Sequence, residues 1–284
     1  PINLKELVTF LERDKNNNID FIFSIGGDGT INKIIQHLVG EKISLMVIPT
    51  GTANDLAHEL SVKASIKKVH QIFQKKSISQ IDAIKVNSQY MLTCGGLGLG
   101  ANVARKVNEL RGDFPLFKKV MGLTGAPIYA ALLGLEFFKS FKQEKMFVES
   151  KNFPRLKNIQ KVSMLMINNQ PIVGGKFKVA PSTKNNDGTF NVTIFTHENK
   201  LCLIRAILKT MQGVEDTNDE NLIRFETDRL EVMCLDRSLP FFGDGEILDN
   251  TQNYIIECVP SSLNVFHLPE MEWEDSFSLS EVQL

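Results

Sequence analysis

The sequence predicts an α/β protein of two domains: a doubly wound parallel sheet over residues 1–83 and a larger β-sandwich over residues 84–268. Three observations support this prediction. Short apolar runs alternate with helical spacing in the first part, apolar and polar residues alternate in the second, and 284 residues suffice for two hydrophobic cores. The remaining residues, 269–284, are predicted to form an acidic tail.

The first domain is predicted from two buried strands and the helices around them. Asp20–Ile25 and Ile43–Ile48 are short apolar runs that stop at a glycine or a proline, as strands buried on both faces often do. Helices are predicted where apolar residues recur at spacings of three and four, at Ile31, Ile34, Ile35 and Leu38 and again at Ile66, Val69, Ile72 and Phe73. Alternating strands and helices indicate parallel strands joined by crossover helices.

The second domain is predicted from the alternation of apolar and polar residues. Four segments are strand candidates: 190–194, 230–234, 254–259 and 263–268. One helix, Leu201–Gln212, is predicted among them, and Gly213 would end it. Its apolar face would consist of Leu201, Ile204, Ile207, Leu208 and Met211.

Composition and charge argue against several classes of protein. The chain has 43% hydrophobic and 23% charged residues, as folded globular proteins do, and its net charge of −1 provides no basic field for nucleic acid. The four cysteines, Cys94, Cys202, Cys234 and Cys258, lie in apolar segments without C-x-x-C spacing, which favours buried, reduced thiols in a cytoplasmic protein. The longest uncharged stretch, residues 120–135, is too short for a membrane-spanning helix.

A glycine-rich loop, Gly26–Thr30, follows the first predicted strand and begins the next helix. Its glycines would let backbone N–H groups approach a phosphate without a Cβ in the way, and the helix N-terminus adds a favourable dipole. Asp28 would contact a magnesium ion or a ribose, because a carboxylate repels a bare polyanion. The alternative is a tight strand-to-helix turn in which Asp28 acts as a cap.

A second loop of the same kind, Gly51–Asp55, follows the next predicted strand and begins another helix. Parallel sheets bind ligands at the carboxyl ends of their strands, so the two loops would lie side by side. Two such loops favour nucleotide binding over a pair of unrelated turns. The pattern is neither the Walker loop, which needs G-K-[ST], nor the G-x-G-x-x-G of dinucleotide-binding proteins.

These two loops and four later motifs resemble the catalytic domain of diacylglycerol kinases, which sphingosine kinases and soluble bacterial lipid kinases share. The later motifs follow in the family's order: Ile81-Asp82, Gly95–Gly100, Ala180-Pro181 with Asp187-Gly188, and Phe242–Glu246. The family begins with a further strand that ends in an N-P-x-S-G-like loop, which we expect to precede Pro1. The resemblance implies a lipid kinase that transfers the γ-phosphate of ATP to the hydroxyl of a lipid such as diacylglycerol.

The resemblance also implies a role for each matching residue. The phosphates of ATP would be held by Gly26, Gly27, Gly29, Thr30, Gly51, Thr52 and Asn54. Magnesium would be held by a network of Asp28, Asp55 and Asp82. Asp244 would act as the general base and Glu246 would contact the nucleotide or the metal. Without the resemblance, Asp244-Gly245 reads more readily as a hairpin turn.

Two other functions stay open at this point. An NAD kinase shares the G-G-D-G-T loop, although Gly51–Asp55 and the later D-G-E at Asp244 favour a lipid kinase. A catalytically inactive module that binds lipid or nucleotide is the second alternative. The inactive module is supported by Asn191, a position where relatives often carry an aspartate. The other acidic residues of the family pattern are retained, which argues against an inactive module.

The segment between Asn102 and Lys161 contains twelve basic and five acidic residues, a net charge of +7, around an apolar stretch at Leu123–Phe138. This pattern favours docking on an anionic lipid surface, so we expect a cytoplasmic protein that works peripherally at the inner face of a membrane. The alternative is a buried helix with solvated lysines on its other face. Whether the chain forms a homodimer stays open.

Overall fold

The computed structural model describes residues 6–7, 9, 19–51, 53–62, 65–99, 141–153, 158–214 and 218–267. Thr52, the acidic tail and most of the segment between Asn102 and Lys161 lie outside these ranges. Within them, no helix is long and apolar enough to cross a bilayer.

Four helices and fourteen strands lie within the described ranges. The helices are α1 (Asp28–Ile35), α2 (Asp55–Glu59), α3 (Ile66–Lys75) and α4 (Lys200–Met211). The strands are β1 (Phe21–Gly26), β2 (Ser44–Pro49), β3 (Ile78–Val86), β4 (Gln89–Met91), β5 (Cys94–Gly98), β6 (Glu144–Glu149), β7 (Gln160–Val162), β8 (Met164–Asn168), β9 (Phe190–Phe195), β10 (Leu222–Thr227), β11 (Arg229–Cys234), β12 (Leu239–Gly243), β13 (Glu246–Thr251) and β14 (Asn253–Phe266).

β1 and β2 form the parallel part of a mixed sheet, and they coincide within one residue with the two predicted buried strands. Their register pairs Gly26 with Pro49 at the carboxyl ends. α1, α2 and α3 pack on the sheet through a core that includes the fully buried side chains of Ile35, Leu45 and Ile72. This arrangement confirms the predicted fold of the first part and brings both glycine loops to one edge of the sheet.

The same sheet continues into the second half of the chain through β14 and β3. Its strand order is β1-β2-β14-β11-β6-β7, and β3 pairs with β14 and with β4. β14 is parallel to β2 at one end and antiparallel to β11 at the other. Its register with β3 shifts between Val259 and Leu263, so the two strands predicted over 254–268 form one bulged strand. The domain division at residue 83 falls within β3 and stays a prediction.

A second sheet is antiparallel, in the order β10-β9-β8-β5-β12-β13, and packs face to face on the first. The core between the two sheets is apolar and almost fully buried, with side chains such as Leu165, Val192, Val232, Phe241 and Tyr254. Inward and outward residues alternate along the sandwich strands, and this alternation predicted β9 of the second sheet and β11 and β14 of the first. The predicted β-sandwich is confirmed.

α4 packs on the outer face of the second sheet, but only in part through the predicted residues. Its buried side chains are Leu203, Ala206 and Thr210, whereas Leu201 and Leu208 are 69% and 52% exposed. The predicted apolar face was wrong for Leu201 and Leu208, because the contact with the sheet is centred on Leu203 and Ala206, with Ile207 packed beside them. This rotation leaves the two leucines in solvent.

All four cysteines are free thiols, as predicted. Cys94 and Cys234 are buried and Cys258 is half-buried. Cys202 is exposed in the first turn of α4, so the prediction of buried thiols is wrong for this residue. The cause is again the rotation of α4, which turns this side chain away from the sheet.

Candidate active site

The two glycine loops touch each other, and their contact leaves no room for side chains. A Cβ on Gly27 would lie 3.0 Å from the Cα of Gly51, and a Cβ on Gly51 would lie 2.6 Å from the Cα of Gly27. Gly27 has an extended backbone, with φ −104° and ψ −172°, so no left-handed conformation demands glycine there. Glycine is required at both positions because the two backbones approach so closely.

Asp28 joins the two loops. Its Oδ2 and Oδ1 accept hydrogen bonds from the backbone N of Asn54 (2.9 Å) and of Asp55 (2.8 Å), at the N-terminus of α2. A carboxylate in this place satisfies N–H groups that lack partners within the helix, and it complements the helix dipole. Asp28 therefore caps the helix of the neighbouring loop, which no local sequence pattern reveals.

Asn54 shapes the second loop. Its backbone is left-handed, with φ 52°, a conformation that asparagine adopts more readily than most residues. Its side chain closes on Gly51: the Gly51 N donates to Oδ1 and Nδ2 donates to the Gly51 O, both at 2.9 Å. The side chain predicted to assist phosphate binding thus holds the loop together. Thr52, predicted beside it, lies outside the described residues.

Asp55, the first residue of α2, reaches the second half of the chain. Its Oδ1 accepts a hydrogen bond of 2.8 Å from the backbone N of Gly175, in the turn between Val173 and Phe177. Gly175 has a left-handed φ of +71°, which favours glycine. Sequence reasoning missed this turn, and the Gly174-Gly175 pair was the signal that could have revealed it.

Asp244 lies in the turn between β12 and β13, with a left-handed φ of +50°. Its carboxylate accepts hydrogen bonds from the N–H of Leu92, the N–H and the hydroxyl of Thr93, and Nδ2 of Asn32, at 2.7–3.2 Å. Asn32 belongs to α1, the helix that begins at the first loop. Asp244 therefore lies in a hairpin turn and is also tied directly to the helix of the glycine loop.

Glu246 lies against the first loop. A Cβ on Gly29 would be 2.7 Å from Oε1 of Glu246, so this carboxylate sits beside the first turn of α1, where the helix dipole favours negative charge. Within the loop, Thr30 covers Gly26, where a Cβ would be 2.6 Å from the Thr30 Oγ1. The first loop, the second loop and the Asp244–Glu246 turn are therefore adjacent.

Asp82 occupies a different place. Its side chain is fully buried, and Oδ1 and Oδ2 accept hydrogen bonds of 2.7 Å from the backbone N of Ser261 and of Gly188. These bonds connect β3 to the bulge of β14 and to the turn before β9. Among the described residues, Asp82 shares no hydrogen-bond partner with the other two aspartates of the predicted magnesium network.

The carboxylates around the loops have raised pKa values. Burial raises the pKa of Asp28 and the charge of Asp55 raises it further, while backbone N–H groups lower it. Burial also raises the pKa of Asp55, and the charge of Asp244 adds to the effect. The pKa of Asp244 is raised by its burial, against hydrogen bonds from Thr93 and Asn32 that lower it. The three carboxylates thus lie close enough together that the negative charge of one raises the pKa of another.

This negative charge suits a cation. Magnesium in phosphoryl-transfer sites commonly takes one or two carboxylates besides the phosphate oxygens, and Asp28 and Asp55 fit that requirement. The described part of the chain contains no group of three or more histidine, cysteine, aspartate or glutamate side chains that could hold a metal ion. The network of Asp28, Asp55 and Asp82 therefore stays a prediction, with Asp82 placed apart from the other two.

Sequence reasoning also missed Asn32 and Thr93. Asn32 is 5% exposed, and besides its bond to Asp244 its Nδ2 donates to the backbone O of Tyr90 at 3.2 Å. Thr93 lies in the connection from β4 to β5. The available signal was the position of Asn32 four residues after Asp28, which puts both on one face of α1.

Two family models match this chain. The model of the diacylglycerol kinase catalytic domain matches residues 3–86, and that of the YegS C-terminal NAD kinase beta sandwich-like domain matches residues 97–267. The first match contains both glycine loops and Asp82. The second contains the Gly175 turn and the Asp244–Glu246 turn.

Known proteins agree with these matches. The diacylglycerol kinase of Bacillus subtilis (strain 168) is 30% identical over 218 residues, which cover 75% of this chain and 67% of the relative. The crystal structure of a diacylglycerol kinase from Bacillus anthracis str. Sterne has a TM-score of 0.67 at 16% identity, over 95% of this chain and 84% of its own. The crystal structure of yeast NADH kinase complexed with NADH has a TM-score of 0.50 at 11% identity, over 95% of this chain and 69% of its own. The two structures show likeness of fold; the family models and the Bacillus subtilis relative show that this chain belongs to the diacylglycerol kinase catalytic-domain family of lipid kinases.

Proposed function

We propose that this chain transfers the γ-phosphate of ATP to the hydroxyl of a lipid such as diacylglycerol, with Asp244 as the general base. The observation that carries the proposal is the hydrogen bond of 3.1 Å from Asn32 to Asp244. This bond joins the helix of the first glycine loop to the carboxylate on the β12–β13 turn. A phosphate donor at the loop and an acceptor hydroxyl at Asp244 would then face each other, as in-line phosphoryl transfer requires.

The two loops would supply the nucleotide end of the site. The phosphates would lie against Gly26, Gly27, Gly29, Thr30, Gly51, Thr52 and Asn54. The N-terminus of α1 would add its N–H groups and its dipole. Asp28 and Asp55 would hold magnesium, which when bound neutralises charge on the phosphates. Glu246, beside Gly29, would orient the nucleotide or the metal.

Asp244 would take the proton of the lipid hydroxyl while that oxygen attacks the phosphorus. The carboxylate must be ionised to do so, and burial alone favours its neutral form. The hydroxyl of Thr93 and the amide of Asn32 oppose this effect, because they donate hydrogen bonds to the charged form. The net result is a pKa above the ordinary aspartate value, the direction that suits a base working near neutral pH.

Thr93→Val is expected to make the reaction more sensitive to acid. Valine keeps the shape of the side chain and removes the hydroxyl that donates to Oδ1 of Asp244 at 2.7 Å. Loss of this donor raises the pKa of Asp244 further, so the carboxylate becomes protonated, and inactive as a base, at a higher pH. We expect kcat/KM to fall more at acidic than at alkaline pH, which a pH–rate profile measures.

Thr189→Val is the matched control for this variant. Thr189 donates a hydrogen bond of 2.9 Å to Asp187, a second threonine–aspartate pair that lies outside the site. Its pH–rate profile should match that of the wild type. An acidic limb at the same pH in Thr93→Val and the wild type would contradict the assignment of Asp244 as the base.

Transfer from radiolabelled ATP to a panel of acceptors tests the proposed function. The panel contains diacylglycerol, monoacylglycerol, ceramide, sphingosine, a polyprenol and NAD. A labelled lipid product supports the lipid kinase, whereas a labelled product from NAD alone would establish the NAD kinase alternative, which shares the G-G-D-G-T loop. Binding of ATP without transfer to any acceptor would establish the inactive module instead.

We also propose that the chain acts peripherally at the cytoplasmic face of an anionic membrane, because moving acyl chains into water costs about 0.8 kcal/mol per methylene. The candidate surface is the +7 segment between Asn102 and Lys161, most of which lies outside the described residues. The double variant Lys118→Glu/Lys119→Glu is expected to co-sediment less with anionic vesicles than the wild type. Added salt should reduce the binding of the wild type to these vesicles. Equal binding to anionic and neutral vesicles would contradict this proposal.

A further inference from the structure

Asn168, the last residue of β8, is a buried polar residue that the proposed function does not use. Its side chain is 1% exposed, and neither Oδ1 nor Nδ2 has a hydrogen-bond partner within the described ranges. Burying an amide without a partner is unfavourable, and native proteins rarely leave such groups unpaired. A bound ligand that supplies the partner would remove this cost.

Strand pairing places Asn168 next to the candidate active site. Asn168 pairs directly with Cys94 of β5, and the backbone N of Asp244 donates to the backbone O of Cys94 at 2.9 Å. Two strand spacings therefore separate Asn168 from Asp244, about 10 Å between their backbones. β5 lies between the two residues, so an acceptor bound over β5 beside Asp244 could contact both side chains.

The side chain of Asn168 lies on the face of its sheet that is turned away from the sandwich core. Leu165 and Ile167 of the same strand belong to the core, so Asn168 has the opposite orientation, and its direct partner Cys94 shares it. Burial and the charges of Asp55 and Asp244 raise the pKa of the Cys94 thiol. Cys94 therefore lies within the field of the site's carboxylates, and Asn168 lies beside Cys94 on the same face of the sheet.

We infer that Asn168 binds the polar group next to the reacting hydroxyl of the lipid acceptor, with Nδ2 donating to an oxygen of that group. The inference rests on the proposed function, in which Asp244 holds the hydroxyl itself. Diacylglycerol carries an ester oxygen on the neighbouring carbon, whereas a plain long-chain alcohol has only hydrocarbon there. Asn168 selects the oxygen-substituted acceptor, because its amide stays unsatisfied beside hydrocarbon.

Asn168→Leu tests this inference, because leucine has a similar size but neither a donor nor an acceptor. Initial rates of phosphorylation by ATP are measured with a short-chain diacylglycerol and with an unbranched primary alcohol of matched hydrophobicity. We expect kcat/KM for the diacylglycerol to fall about tenfold, the loss of one good hydrogen bond. The KM for ATP and the rate with the plain alcohol should stay unchanged.

Thermal unfolding gives a second readout. If Asn168 had a purely structural role, its replacement by leucine would lower the Tm. Removal of an unsatisfied buried amide should leave the Tm of Asn168→Leu equal to or above that of the wild type. Asn191→Leu is the control, because Asn191 pairs with Asn168 from β9 and already accepts a hydrogen bond from Thr193 at 3.2 Å. Its preference between the two acceptors should equal that of the wild type.

The outcomes separate this inference from the proposed function. An unchanged acceptor preference in Asn168→Leu, a lowered Tm, or the same loss in Asn191→Leu would overturn the assignment of Asn168 alone. Failure of the wild type to phosphorylate either acceptor would overturn the proposed function, and the assignment with it.

Discussion

Asp244→Asn is expected to lower kcat/KM by about 10²–10⁴-fold, the usual contribution of a general base. The amide cannot take the proton of the lipid hydroxyl. It also presents N–H groups where the carboxylate accepts hydrogen bonds from Leu92, Thr93 and Asn32, so we expect a lower Tm as well. Steady-state kinetics with ATP and an accepted lipid measure the first effect, and thermal unfolding measures the second.

Nucleotide binding should survive in Asp244→Asn, because the glycine loops and not Asp244 would hold the phosphates. Mg-ATP should therefore still raise the Tm of this variant. Asp249→Asn is the control, since Asp249 lies on the same hairpin and accepts a hydrogen bond of 2.7 Å from Asn87 outside the site; its activity should stay near wild type. More than about a tenth of wild-type activity in Asp244→Asn would exclude general-base catalysis by this residue.

Gly27→Val is expected to abolish nucleotide binding. The new Cβ would lie 3.0 Å from the Cα of Gly51, a backbone atom that cannot rotate away, and valine adds two methyl groups beyond it. The loops must then separate, which breaks the hydrogen bonds from Asn54 and Asp55 to Asp28. A ligand at about a hundred times its Kd stabilises a protein by about 2.7 kcal/mol. We expect this gain, measured as the rise of Tm with Mg-ATP, to be lost.

Gly40→Ala separates this loss from general destabilisation. Gly40 has a φ of +86° and open space where a Cβ would stand, so alanine strains the backbone by about 1–2 kcal/mol at a position remote from the loops. Both variants should have a lower Tm than the wild type, but Gly40→Ala should keep the full rise with Mg-ATP. A rise of wild-type size in Gly27→Val would remove the two-loop phosphate site from the proposed function.

The places of the two loops could be predicted because each is marked locally. Gly26–Thr30 and Gly51–Asp55 both follow an apolar run that forms a buried strand, and parallel strands present their carboxyl ends at one edge. The sandwich could be predicted for a similar reason, since the alternation of Phe190, Val192 and Ile194 reports one buried face. Both the places of the loops and the sandwich can be inferred from the spacing of apolar residues along the chain alone.

The partners of individual aspartates could not be predicted in this way. Asp28 bonds to backbone N–H groups of the other loop, 26 and 27 residues later, and Asp55 bonds to Gly175, 120 residues later. Asp82, which the resemblance grouped with them, bonds to Gly188 and Ser261 instead. The pKa of a carboxylate depends on its burial and on the donors and charges around it. No local pattern contains that information.

The sequence by itself determined the fold class, the alternation of strands and helices in the first part and the family motifs, because each depends on the spacing of residues along the chain. Only the tertiary structure decided which of those residues meet. β14 returns to pair with β2 and β3, and the Asp244 carboxylate lies buried against Asn32, 212 residues away. Asn32, Thr93 and Asn168 became candidates only at this stage. A hydrogen bond between such distant residues forms only when the whole chain has packed. Only then, too, is it decided whether a buried amide has a hydrogen-bond partner.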